Sequence, residues 1–132
     1  MKVFLFIWQL PQNFLGELVV FLTGAVKKDD FYICHSSWFT GVSLGNYIVI
    51  GSIPYVNFSI DKNLINHEKG HQKQSLILGW LYLFVIGIPS FIGNIIDRYF
   101  HNDWNYKERN FWYYNQPWEK WADKLGKVER KY

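Results

Sequence analysis

Five consecutive residues, His67-Glu68-Lys69-Gly70-His71, constrain this chain more than any other part of it. They match H-E-x-x-H, a pattern that has meaning on a helix, where side chains four apart share a face. Both imidazoles can then reach one ion, and Glu68 sits beside that ion rather than on it. There it is placed to take a proton from a metal-bound water, whose pKa zinc lowers to about 7. The competing reading is an amphipathic helix whose two histidines share a face by coincidence. If the metal reading holds, the rest of the fold is constrained as well. A catalytic zinc takes three protein ligands and keeps one position open, so another element must bring the third.

Glu119, within Pro117-Trp118-Glu119-Lys120-Trp121-Ala122-Asp123, is the favoured third ligand. Proline suits the first position of a helix and Gly126 suits its end, which predicts a helix over about 117–125. On that helix Glu119 and Asp123 share a face, while Trp118, Trp121 and Leu125 form an apolar face able to pack on a core. One carboxylate can bind the ion while the other accepts the free ring N–H of a histidine ligand. The alternative is a solvated helix on which Glu119 and Lys120 are surface charges. His101 is the main rival ligand, with Asp103 and Glu108 behind it, but none has a second carboxylate one turn on. Gly70 costs about 1 kcal/mol relative to alanine inside a helix, and a close crossing by the Glu119 helix would account for it.

With these residues in view, the chain resembles the gluzincin metallopeptidases, the thermolysin-like group. It is closer still to a set of small bacterial proteins and toxin-associated domains with the signature H-E-x-G-H-x-x-Q-S, here His67 through Gln74 and Ser75. In that set a G-x-x-Y-L…G-x-P-S segment follows, matched by Gly79, Tyr82, Leu83, Gly87, Pro89 and Ser90. A later E-x-x-A-[N/D] helix is matched by Glu119, Ala122 and Asp123. The resemblance covers about residues 43–126 and departs at Trp118, where a small capping residue is commoner. It implies a zincin-like single domain in which the H-E-x-x-H helix is crossed by the Glu119 helix. It also implies one Zn2+ held by His67, His71 and Glu119, with Glu68 as general base and Asp123 orienting a histidine. The implied reaction is hydrolysis of a peptide or protein substrate. An edge strand ahead of the metal helix would pair with the substrate backbone, and the Ser43–Ile50 strand, through its leading residues Ser43–Asn46, would do so, with Asn46 touching substrate.

The remaining pattern predicts an α+β domain with a small antiparallel sheet, metal helix over about 61–80 capped by Asp61. Asn13 could cap a first apolar helix over about 14–26, with Lys27 and Lys28 at its C-terminal end, where cations are favoured. Phe31–Phe39 and Ser43–Ile50 read as strands joined at Thr40-Gly41, with Gly51 to Pro54 closing the strand region. Residues 97–110 read as loop with a short helix. At 132 residues the chain fits one domain, 1–132. With 49% hydrophobic and 19% charged residues it is not disordered, and a net charge of +3 without a Lys/Arg run argues against nucleic acid. Cys34 is the only cysteine, so no internal disulfide is possible. Beside His35 it reads as a buried thiol, since neighbours in a strand face opposite ways.

Residues 1–10 make a poor secretory signal, leaving a cytoplasmic or membrane-associated chain as the expectation. No charge occurs between Lys73 and Asp97. About 20 apolar residues can span a bilayer, so 76–96 is buried, in contact with a membrane surface, or a membrane span, with Pro89 breaking or kinking any helix there. His101 is the candidate donor for stabilising a developing oxyanion, with Tyr99, Tyr113 and Tyr114 competing. Gln74 and Ser75 read as hydrogen-bonding a nearby segment rather than substrate. Two rivals to the hydrolase remain, a catalytically inactive zincin-fold binding module and a small membrane-associated protein without catalysis.

Overall fold

A computed structural model describes residues 1–36, 38–52 and 62–131. Two helices, α1 (Lys2–Trp8) and α2 (Leu10–Thr23), lead into four strands: β1 (Val26–Lys28), β2 (Phe31–His35), β3 (Gly41–Leu44) and β4 (Tyr47–Ser52). Helix α3 (Lys62–Leu78) carries the H-E-x-x-H residues. A 3₁₀ turn (Gly79–Leu81) and a π-turn (Leu83–Gly87) connect it to α4 (Ile88–Phe100), and α5 (Tyr106–Tyr114) and α6 (Pro117–Gly126) complete the chain. The α+β class and the single small sheet are as the sequence predicts; the proposed cap at Asp61, and Pro54, lie outside the described residues.

The sheet is mixed rather than antiparallel. Its order is β1-β2-β4-β3, with β2 and β4 parallel and the other two pairs antiparallel. The expected hairpin at Thr40-Gly41 is therefore replaced by one at Gly45-Asn46, where Gly45 takes φ 62°. Glycine adopts this left-handed backbone without steric cost, so the chain reverses there and β4 lies alongside β2. Phe31, Ile48 and Ile50 form the buried core of the sheet, and Leu64 and Ile65 of α3 pack against it.

Three helix boundaries also differ. The first apolar helix starts earlier and ends at Gly24, whose φ of 63° terminates it, so Val26, Lys27 and Lys28 form β1 instead. Asn13 is a buried helical residue, not a cap; its Oδ1 accepts the Asn46 backbone N–H at 2.7 Å. Pro89 begins α4 rather than breaking it, because a proline at N1/N2 removes no helical hydrogen bond. Much of the region read as loop is helical, since Asn105 and Glu108 form a reciprocal capping box that starts α5.

Candidate metal centre

Helices α3 and α6 cross closely enough to exclude a side chain. A Cβ on Gly70 would lie 2.7 Å from the carbonyl carbon of Ala122, and one on Gly126 would lie 2.8 Å from that of Asn66. Gly70 is therefore explained by the α6 crossing. Gly126 is explained by the same contact rather than by capping, since Lys127, at φ 57°, is the left-handed residue that ends α6.

The crossing brings His67, His71 and Glu119 together, all three buried. Glu119 Oε2 lies 3.0 Å from His67 Nε2 and 3.1 Å from His71 Nε2, and the two Nε2 atoms are 3.1 Å apart. Each far ring nitrogen has its own acceptor. His67 Nδ1 meets Asp123 Oδ1 at 2.6 Å, and His71 Nδ1 meets Gln74 Oε1 at 2.7 Å. The Gln74 amide donates to the Trp118 carbonyl at 2.8 Å, which fixes its oxygen toward the imidazole. When both Nδ1 atoms donate to these acceptors, two Nε2 lone pairs converge with a carboxylate oxygen. Such a convergence is stable only around positive charge, and the three residues can hold a metal ion.

The supporting contacts extend outward on both sides. Arg130 donates from Nε to Asp123 Oδ2 at 2.6 Å and from a terminal nitrogen to Oδ1 at 2.9 Å, with its guanidinium 3.3 Å from the centre of the Tyr114 ring. The Tyr114 ring in turn packs edge-on against His67. Ser90 donates to Glu119 Oε1 at 2.5 Å, leaving Oε2 for the histidines; Tyr113 and Asn94 continue that chain.

With no metal bound, burial opposes charge on His67, but the hydrogen bonds to Asp123 and Glu119 outweigh it and push the imidazole pKa up to about 9. Burial likewise works against the two carboxylates. The His67 and His71 hydrogen bonds nevertheless hold Glu119 far below the usual carboxylate range, and those from His67 and Arg130 hold Asp123 below its ordinary value. Glu68 is different. Burial raises its pKa, and the attraction of His71 and His67 offsets that only in part. Its carboxylate lies against β3, the outer strand beside α3, since a Cβ on Gly41 would come within 2.6 Å of Glu68 Oε1.

Other predicted site residues lie elsewhere. His101 ends α4, stacked on Trp104 at 3.7 Å between ring centres and 3.5 Å from Asp97, and the His67–His71–Glu119 group does not include it. The aromatic residues following α4 capture its ring, which removes it as third ligand and leaves the oxyanion role without support. Glu108 caps α5 and Asp103 is exposed. Asn46 occupies the β3–β4 turn, exposed and tied to α2 through Asn13, rather than standing with the metal group. Of the stretch proposed to pair with substrate, only 43–44 lie in the edge strand β3, and the Ser43 carbonyl accepts the Tyr82 hydroxyl at 2.9 Å. Cys34 is buried in β2 and His35 is exposed at its end.

Besides Arg130 on Asp123, the sequence reading missed two supporting residues, Gln74 on His71 and Ser90 on Glu119. Both stand in the motif segments, Gln74 one turn after His71, so a search for partners of the ligands along those segments would have found Gln74. Ser90 is 29 residues from Glu119, and only the packing of α4 joins them. Comparisons with models of protein families, with curated proteins and with solved structures return no match to this chain.

Proposed function

We propose that the chain is a zinc-dependent hydrolase of the gluzincin type, acting on peptide bonds. The observation that carries this reading is the convergence of His67 Nε2, His71 Nε2 and Glu119 Oε2 with edges of 3.0–3.1 Å. Tetrahedral zinc sites with bonds of about 2.0–2.2 Å have donor edges of roughly 3.4 Å, so a small adjustment of these side chains meets the requirement. Two imidazoles and a carboxylate suit zinc among the common divalent ions, and three protein donors leave a position open for water. When bound, zinc supplies a water whose pKa is lowered to about 7.

The chain's own groups have separable tasks. Asp123 and Gln74 hold the imidazoles with Nε2 directed inward. Ser90 holds the Glu119 carboxylate. Glu68, buried beside the outer strand and raised in pKa, is the group that accepts a proton from water and later returns it to a leaving amine. Elemental analysis of purified protein should find about one zinc per chain. Glu68→Gln should retain the zinc while hydrolysis of a peptide library falls about 10²–10⁴-fold. Absence of a stoichiometric divalent ion after reconstitution would end the metal reading. Zinc binding without turnover in the unmodified chain would leave a binding module.

A further inference from the structure

Apolar and polar side chains are distributed in reverse along two parts of this fold. Between α1–α2 and the end of α3, the fully buried side chains are polar: Gln9, Gln12, Asn13 and Ser75. Gln9, Gln12 and Ser75 bond to one another, with Gln12 Oε1 left without a partner among the described residues, while Asn13 bonds to the Phe6 carbonyl and the Asn46 N–H. Ser75 donates to Gln9 Oε1 at 2.7 Å, and the Gln12 amide donates to Ser75 Oγ at 2.9 Å and to the Gly79 carbonyl at 2.8 Å. The outward surface is apolar. Among the described residues thirty large hydrophobic side chains are exposed, and twenty-four of them fall in two segments, Val3–Leu22 and Leu76–Phe100. Glu17 is the only charged residue between Lys2 and Lys27, and none lies between Lys73 and Asp97. Two indoles join the segments, Trp8 donating to the Leu76 carbonyl at 2.9 Å and Trp80 to the Ile7 carbonyl at 2.8 Å.

We propose that these two segments form one lipid-embedded surface, so that the chain is seated in a bilayer. Several features favour lipid over a protein partner. Helix α1 has no buried residue, and its apolar side chains point all round. A folded partner covers one face of such a helix, whereas fluid acyl chains cover every face. Leu83–Phe100 is 18 residues of helix with only 11% of its residues buried, which is not the environment of a core helix in water. At 1.5 Å per residue it extends about 27 Å, comparable with a hydrocarbon core of about 30 Å. Polar side chains that pair internally while apolar ones face outward are what a lipid surrounding requires.

Helix α4 shows the division within one element. Ser90, Asn94 and Asp97 bond to Glu119, Tyr113 and Arg109, whereas Phe91, Ile92 and Ile95 are exposed. The helix that steadies the third ligand is thus also a lipid-facing one, although the seat does not depend on any metal being bound.

Flotation of the full chain with vesicles of phosphatidylcholine and phosphatidylglycerol in equal parts tests the proposal. The protein should rise with the vesicles, and brominated phosphatidylcholine should quench its tryptophan fluorescence. Phe84 and Phe91 are 69% and 65% exposed and have no part in the metal group. Replacing both by glutamate should reduce vesicle partitioning at least about tenfold while leaving the far-ultraviolet circular dichroism unchanged. If that variant fails to fold, Phe14→Glu with Phe21→Glu serves as a second pair on α2. His71→Ala should lose metal yet still float, so failure of the metal reading and failure of this one are separable. The proposal is overturned if the unmodified chain stays at the bottom of the gradient without quenching, whether monomeric or paired with a second copy. It is equally overturned if folded glutamate variants float as well as the parent.

Discussion

Gly70→Ala isolates the α3–α6 crossing. The added Cβ would lie 2.7 Å from the Ala122 carbonyl carbon, where non-bonded carbons rest at about 3.5–4.0 Å. The obstacle is backbone, which cannot rotate aside, so α6 must withdraw by roughly 1 Å. Alanine gains up to about 1 kcal/mol in helix propensity, while overpacking costs typically 1–3 kcal/mol. A backbone clash belongs at the upper end, giving a net loss of about 1–2 kcal/mol. Glu119 stands one turn before Ala122 and moves with it. An Oε2 now 3.0 and 3.1 Å from the two imidazoles would retreat by a similar distance, well beyond the donor edges of roughly 3.4 Å that a zinc site requires. Metal affinity should therefore fall at least about tenfold. The control is Gly93→Ala in α4, where the nearest atom to a new Cβ is 3.7 Å away in the Tyr113 ring. That variant should keep both stability and metal affinity. Denaturant unfolding and competition against a chelator measure the two quantities. Parental metal affinity in Gly70→Ala would refute the claim that this crossing positions the third ligand.

Asp123→Ala should weaken metal binding about 10–100-fold, and Gln74→Leu should act in the same direction, because each removes an acceptor that directs a ring nitrogen inward; chelator competition reads both. After chelation, stability should depend on pH in a defined direction. The folded pKa of His67 is about 9 against an ordinary 6.5, so its contribution is fully present below the ordinary value and is lost as pH rises through about 9. Asp123 has the opposite sign: its folded pKa is lowered, and its contribution disappears as pH falls through that value. Unfolding of the chelated protein across the pH range checks both, and His67→Asn should abolish the alkaline loss.

Some of this protein is written in local order along the chain. The i, i+4 histidines, the Glu119–Asp123 pair and Gly70 each depend on helical geometry repeated over a few residues, so their shared faces were legible before any fold was known. The α+β class and the helix begun by Pro117 were legible for the same reason. Asn105 and Glu108 were equally local, but the capping box they form was read as loop.

Other features depend on which distant segments meet. The parallel β2–β4 pairing follows from a reversal at Gly45 that re-sorts strand neighbours, and alternation within a strand does not name its partner. His101 had the right chemistry, yet the ring of Trp104 and the carboxylate of Asp97 surround it. Ser90 lies in an apolar run and acquires its role only because α4 packs beside α6. The uncharged run after Lys73 suits a core as well as a membrane in one dimension. The tertiary structure places Gln9, Gln12 and Ser75 inside and Phe84 and Phe91 outside, which the one-dimensional pattern did not show, because burial is a property of packing and not of residue type.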